Sequence, residues 1–325
     1  MDNKQLFSPA TTAVFLSQTT GKIAAGDRRD GSVYVYTPKI VLAVRVAQVT
    51  NRPLLVRGSS GNGKSSLARN VARVLGWRYY EAVITSRTQA RDLLWEVDLL
   101  RRLSDANLRD KEVSEDITPY IKPGVLWWAF DPASARRRGK PKEESDAAWD
   151  ASDPNLGDES ERAVVLIDEI DKADPDVPNN LLVPLGSLQF QVEETRTLVE
   201  TEAARAPLVF ITTNGERELP AAFLRRCIDV ELPDPDVERL VEIGKAHFDK
   251  QTDTFLRDIA DRIQPTIETG AAESKKTQVR AGTAEFLDTI RACIDLEITP
   301  GSKEWEDLLR MTFFKSRATG KTLEA

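Results

Sequence analysis

Apolar positions along the chain fall into two regimes. Between residues 53 and 232, short apolar runs alternate with stretches of helical spacing. Beyond that only helical spacing remains. The runs are Pro53-Leu-Leu-Val-Arg57, Arg78-Tyr-Tyr-Glu-Ala-Val-Ile84, Ala163-Val-Val-Leu-Ile167, Pro207-Leu-Val-Phe-Ile-Thr-Thr213 and Cys227-Ile-Asp-Val-Glu-Leu232. The runs at 53–57, 163–167 and 207–213 are apolar on consecutive positions, the pattern of a buried strand, while 78–84 reads as a strand rich in aromatic and β-branched residues and 227–232 as a fifth strand. Helical spacing links Leu67, Val71, Val74 and Leu75, then Leu93, Leu94, Val97, Leu99, Leu100 and Leu103. Ile40–Ala47 reads as a helix beneath the sheet, 180–185 as part of a helix, and Leu219–Arg226 as a short one. Gln189-Phe-Gln-Val and Arg196-Thr-Leu-Val-Glu flank a polar turn and predict a β-hairpin over 189–199. Alternating strand and helix implies an α/β layer structure with a parallel sheet.

After Pro233 the pattern predicts helices over 237–260 and 283–294, a polar loop over 268–280, and a last helix within 305–314. The expected organisation is an N-terminal arm (1–33), an α/β core (34–232), a small helical domain (233–300) and a C-terminal helix and tail (301–325). Residues 136–142 are basic and 143–161 acidic, so 136–161 reads as a flexible surface insertion. Val33–Tyr36 reads as extended. Tyr36 and its neighbours read first as packing residues and second as the lining of an adenine pocket. Trp127 and Trp128 read as core, with a partner-facing hot spot as the sharper alternative.

Composition changes this picture little. The 325 residues are 41% hydrophobic and 30% charged, enough for a sizeable core and ordinary for a globular chain. No run reaches the length of a membrane span, and the first residues lack the halves of a signal peptide. Cys227 and Cys293 are far apart and form no metal or redox motif. The single histidine, His247, excludes a His-rich metal site and reads as a helix-surface or packing residue. These features suit a reducing cytoplasm. A net charge of −7 argues against a general polyanion binder.

The decisive chemistry lies after the first strand. Gly58-Ser-Ser-Gly-Asn-Gly-Lys-Ser65 fits G-x-x-x-x-G-K-[ST], and strand and helix flank it as that motif requires. Gly58, Gly61 and Gly63 allow the backbone to curl so that successive N–H groups bind phosphate oxygens. Ser59, Ser60, Asn62 and Ser66 complete the loop and the first helical turn. Lys64 is placed to reach the β- and γ-phosphates and Ser65 to ligate Mg²⁺. The run 163–167 ends in Asp168-Glu169: Asp168 is the candidate for holding Mg²⁺ through its water shell, Glu169 for activating the attacking water. Asn214, ending the next strand, is a candidate to touch the γ-phosphate or the water. Arg225 and Arg226, closing a short helix, are candidates for stabilising charge on a neighbouring subunit's γ-phosphate.

These segments together resemble the AAA+ ATPases: GSSGNGKS at 58–65, VVLIDE at 164–169, ITTN at 211–214 and LPAAFLRRC at 219–227. IDEIDKADP at 167–175, the hairpin before ITTN, and YIKPGVLWWAFDP at 120–132 resemble the MoxR group within them. The resemblance implies a core sheet in the order 5-1-4-3-2, a helical lid, and a hexameric ring of identical chains converting ATP to ADP and phosphate between subunits. It implies Asn214 as sensor 1, Arg226 (with Arg225 beside it) as the arginine finger, and insertions at 189–199 and after Thr88 as working surfaces. It also implies a client protein, in related systems often one with a von Willebrand A domain. The chain departs from the family at the sensor 2 arginine, where 280–285 reads Arg-Ala-Gly-Thr-Ala-Glu; Arg280 is the weak substitute. Two other readings stay open: a nucleotide-gated assembly switch in bacterial conflict signalling, and a nucleic-acid motor supported only by Arg136–Lys142.

Overall fold

The computed structural model describes residues 31–107, 116–144, 150–157, 160–272 and 282–312. Five strands form one parallel sheet: β1 (Leu54–Arg57), β2 (Arg78–Val83), β5 (Ala163–Asp168), β8 (Leu208–Thr213) and β9 (Ile228–Glu231). They lie side by side as β2-β5-β8-β1-β9. Counted among themselves, that is second, third, fourth, first, fifth. Two antiparallel pairs add four strands outside the sheet. One is β6 (Gln189–Val192) with β7 (Thr197–Glu200), within the stretch read as a hairpin. The other, β3 (Trp95–Val97) with β4 (Ile121–Pro123), was not foreseen.

Strand alternation explains the layers. Leu55, Val165, Ile167, Val209 and Ile211 enter one apolar cluster, and Leu54, Val56, Val164, Leu166, Leu208 and Phe210 enter the other. Neighbouring residues on a strand point to opposite faces, so a strand apolar at every position needs a cover on both sides. Helix α1 (Pro38–Thr50) and α2 (Lys64–Leu75) cover the second face, with Val44, Ala47, Leu67 and Val71 in its cluster. The first face is covered by α4 (Val125–Phe130), α5 (Pro132–Arg136) and α6 (Asp176–Ser187). Trp127 and Trp128 lie fully inside that cluster. Core is therefore their role, and the partner-facing alternative falls.

The periodicity over 93–103 predicted one helix. The structure instead has a tight turn at 90–93, strand β3, and only then α3 (Leu99–Asn107). Pairing with a segment some distance along the chain overrides the local spacing. Gly124 donates its N–H to the Leu94 carbonyl at 2.8 Å, and a Cβ there would stand 2.5 Å from the Leu93 backbone. That approach admits only glycine.

The stretch 136–161 is tied to the fold where it is described. The Ala151 N–H reaches the Arg136 carbonyl at 2.8 Å. Asn155 Oδ1 accepts the Tyr79 N–H at 2.9 Å, and the Leu156 N–H donates to the Tyr79 carbonyl at 3.1 Å. Residues 150–157 thus run along the outer edge of β2, satisfying main-chain groups that an open edge would expose.

Beyond β9 the chain is helical: α8 (Val237–His247), α9 (Asp253–Ala272), α10 (Thr283–Asp295) and α11 (Lys303–Thr312). They enclose their own cluster, including Leu240, Leu256, Ile259, Phe286, Ile290 and Trp305. A single helix was predicted over 237–260; the chain breaks after His247, where the Phe248 N–H caps the Gly244 carbonyl at 2.8 Å. Gly244 lies against Leu256 and Phe286, so the break folds α9 back onto α8. Helix α9 also runs into the stretch read as a loop.

Candidate nucleotide site

The phosphate loop sits at the C-terminal end of β1, between β8 and β9. Sheet strands of this type present ligands at their C-terminal ends, at the point where strand order reverses. Gly58, Gly61 and Gly63 have φ of 152°, 84° and 80°. A Cβ on Gly58 would come within 2.6 Å of the Leu232 carbonyl oxygen on β9. Gly63 then opens α2, whose first N–H groups face the loop.

Lys64 and Ser65 follow at once. The Lys64 ammonium donates to the Gly58 and Ser59 carbonyls at 2.8 and 2.9 Å and to Asn214 Oδ1 at 2.7 Å. Desolvation lowers its pKa, opposed by the charges of Asp168, Asp171, Glu169 and Asp234. Ser65 Oγ donates to the Asp168 carboxylate at 2.9 Å. Asp168 ends β5, buried, and also accepts from the Thr212 hydroxyl on neighbouring β8.

Glu169 leaves the strand with φ 63° and ψ 48°, left-handed values uncommon for a residue with a Cβ. Its N–H is fixed by Thr212 Oγ1 at 2.9 Å. Its carboxylate accepts from Lys172 Nζ at 2.6 Å and lies 3.5 Å from Asn214 Nδ2. That ion pair raises the Lys172 pKa. Lys64, Ser65, Asp168, Glu169 and Asn214 therefore converge, although they come from three separate stretches.

These residues line the mouth of a cavity of about 690 Å³ between the sheet and the helical unit. Tyr34, Ile40, Ile243 and Leu287 give its inner wall an apolar side, and Arg239 and Arg291 bring positive charge. Tyr34 takes the lining role, while Tyr36 donates to Asn70 and packs against α1 and α2. His247 packs beside Phe248 and lines the cavity.

At the sensor 2 position, the Glu285 carboxylate accepts the Gly282 N–H at 2.9 Å, and the Ala284 N–H donates to the Gly61 carbonyl at 3.2 Å. The N-terminus of α10 thus rests on the phosphate loop. Arg280 lies outside the described residues. Arg225 and Arg226 are not among the cavity's residues. Both are exposed at the end of a short helix, α7 (Ala221–Leu224), where the Arg52 guanidinium caps the carbonyls of Arg225 and Arg226 at 2.6 and 3.0 Å.

A family model described as the AAA domain of the dynein-related subfamily matches residues 53–227. The chain belongs to this family. Among curated proteins none matches it. The AAA match spans β1 to the end of α7, so it holds the phosphate loop, Asp168-Glu169, Asn214 and both arginines. AAA domains are nucleotide-binding ATPase domains and commonly assemble into rings. No described helix of this AAA protein is long and apolar enough to cross a membrane. Among the described residues no group of three or more His, Cys, Asp or Glu could hold a metal ion. The oxygen pair Ser65 and Asp168 suits Mg²⁺, which keeps much of its shell as water and substrate phosphate.

Some contacts in the site were not foreseen, although their residues lie in or beside the quoted segments. Thr212 and Asp171 fix the Asp168, Glu169 and Asn214 loops from neighbouring strand ends, and Asn62 donates to Asp234 at 2.8 Å. A threonine in a β-rich run looks like a strand former, and Asp171 looks like one more acid in an acidic stretch.

Proposed function

We propose that this protein binds ATP with Mg²⁺ and hydrolyses it, as a ring-forming AAA+ ATPase of MoxR type that remodels or activates a partner protein. The observation that carries the ATPase reading is the convergence of Lys64, Ser65, Asp168, Glu169 and Asn214 on one cavity mouth. Main-chain N–H groups of the loop 58–66 and the Lys64 ammonium cradle the phosphates. Ser65 and Asp168 would hold Mg²⁺, which would supply positive charge beside the phosphates. Glu169, turned out of β5 toward Asn214, accepts the proton of the attacking water, and Asn214 orients it. The apolar wall by Tyr34 and Leu287 receives the base. Arg226, with Arg225 beside it, acts on the neighbour's nucleotide; their exposure outside their own cavity supports a role across a subunit boundary. The hairpin β6-β7 and the segment after Thr88 face the client, one with a von Willebrand A domain by resemblance.

Nucleic acid is the weaker partner. Of the basic run, Arg137 Nε donates to the Lys140 carbonyl at 3.0 Å, Arg138 to the Ile121 carbonyl, and Lys140 pairs with Asp116 at 2.6 Å.

Mass photometry and phosphate release, with and without ATP·Mg²⁺, test the reading on wild type, Glu169→Gln and Arg226→Ala. Wild type assembles and turns over. Glu169→Gln assembles on ATP but loses turnover by about 10²-fold or more, the scale of general-base catalysis. Arg226→Ala binds ATP and loses turnover by about 10³-fold, the scale of an arginine finger. Full turnover in Glu169→Gln would remove the base assignment. ATP-dependent assembly of the wild type without turnover would favour the assembly switch.

A further inference from the structure

Asp171 lies within the segment 167–175 but was given no role there, yet it is 3% exposed and lies among the loops that carry the site. It follows Glu169 by two residues in the tight turn 170–172. Its Oδ2 accepts two main-chain N–H groups from the loop after β8: Asn214 at 3.2 Å and Glu216 at 2.9 Å. Its Oδ1 is buried with no hydrogen-bond partner among the described residues. Burying a carboxylate with one oxygen unmatched is unfavourable.

The effect of the two accepted bonds falls on Asn214. Its main chain is clamped on one side by Asp171, and Gly215 turns the chain away with φ 75°. Its side chain then reaches Lys64 Nζ at 2.7 Å and the Glu169 carboxylate at 3.5 Å. Asp171 and Glu169 share one short turn, so the clamp fixes the distance between the strand end that carries the base and the strand end that carries the amide.

We propose that Asp171 is a positioning residue for hydrolysis: it locks the β8 loop to the β5 turn so that Asn214 and Glu169 are held in register. It acts through Asn214 and touches no substrate. This rests on the ATPase reading given above. Misplacing a catalytic group by about 1 Å costs on the order of 10²-fold in rate, while the phosphate cradle, built on α2, is left intact. The signature is therefore a loss in kcat without a matching loss in nucleotide affinity. Residues that act as one unit are also non-additive.

The test uses the full chain as wild type, Asp171→Ala, Asp171→Asn, Asn214→Ala and the Asp171→Ala/Asn214→Ala double variant. Single-turnover ATP hydrolysis, equilibrium ATP binding and thermal unfolding are measured on each. Asp171→Ala is expected to hydrolyse about 10²-fold slower with affinity within about threefold of wild type. The double variant is expected to be no slower than the slower single one. Asp171→Asn keeps an acceptor toward both N–H groups and is expected to recover at least about tenfold of the loss. Should the alanine variant not fold, Asp171→Ser, whose shorter side chain cannot serve both donors, takes its place in the same cycle.

Unchanged kcat in Asp171→Ala, losses that multiply in the double variant, or an asparagine variant as slow as alanine would each overturn the assignment. So would an affinity loss as large as the rate loss, since that marks a role in holding the fold of the pocket. A wild type that binds ATP and does not hydrolyse it would remove the ATPase reading as well, an outcome distinct from all of these.

Discussion

At the scale of single residues, burial sorts the chain's reactive groups into used and silent ones. Cys227 and Cys293 are both buried, and desolvation pushes their thiols up to about 12 and about 11. The ordinary thiol value is about 8.5. The fold therefore favours the neutral thiol. That contribution to stability is whole below pH about 8.5 and is lost as pH climbs through the folded values. Two outcomes follow. Iodoacetamide at pH 8 labels neither cysteine in the native protein but labels both once urea unfolds it, because the thiolate is the nucleophile. The urea midpoint falls as pH is raised from 9 toward 11, and falls less in Cys293→Ala than in wild type. Rapid native labelling at pH 8 would show that these side chains are not shut away as described. Motif residues were legible at this scale because their chemistry restricts their type: a Lys, a Ser or Thr hydroxyl, and acidic residues suit their places around a phosphate and a hard cation. The roles of Asp171, Thr212 and Lys172 were not, although all three lie in the quoted segments 167–175 and 211–214. Their work depends on which loops meet, and nothing local to the sequence records that meeting.

Among elements, the sheet strands were the most legible part, since the three central ones, β5, β8 and β1, are covered on both faces and read as nearly continuous apolar runs. The small pair β3-β4 was hidden because its partners are joined by neither a tight turn nor a shared period. Its packing explains why it forms. Trp95 is stacked on Phe190 of β6 with ring centres 5.9 Å apart and planes 5° apart, and its indole N–H donates to Glu194 Oε2 at 2.7 Å. Phe190 also meets Trp127 and Phe130. The pairs β3-β4 and β6-β7 are thus joined through one aromatic group. Trp95→Ala should cost about 3–5 kcal/mol, the range for removing a buried aromatic side chain. Trp95→Phe keeps a ring and loses one hydrogen bond to a charged group, which costs about 1.5–3 kcal/mol. Urea denaturation of both variants measures the difference. Equal losses would mean that the stack contributes little beyond the hydrogen bond.

For the whole molecule, the sheet and the helical unit each have their own apolar cluster, and the cavity lies where they meet. The sequence showed that two such parts exist, because the strand pattern stops at Pro233. It could not show that α10 would rest its N-terminus on the phosphate loop, since that contact joins main-chain groups of Gly61 and Ala284 that any sequence possesses. A nucleotide bound there touches both parts. At a concentration about 100 times its Kd it would add about 2.7 kcal/mol to the folded form. Calorimetry should show this as a higher midpoint in wild type and no shift in Lys64→Ala, the variant that loses the phosphate-binding ammonium. An equal shift in both would mean that the ligand binds elsewhere.

The contact between α10 and the phosphate loop has a further consequence. One seam serves both to grip the phosphates and to hold the helical unit against the sheet. Tightening on one ligand and loosening on another are then a single equilibrium seen from two sides. By linkage, a nucleotide can shift the leaning of the helical unit on the sheet only by the difference between its affinities for the two leanings. A nucleotide that prefers one leaning would then move the helical unit through this contact alone, and a second nucleotide without that preference would let it return.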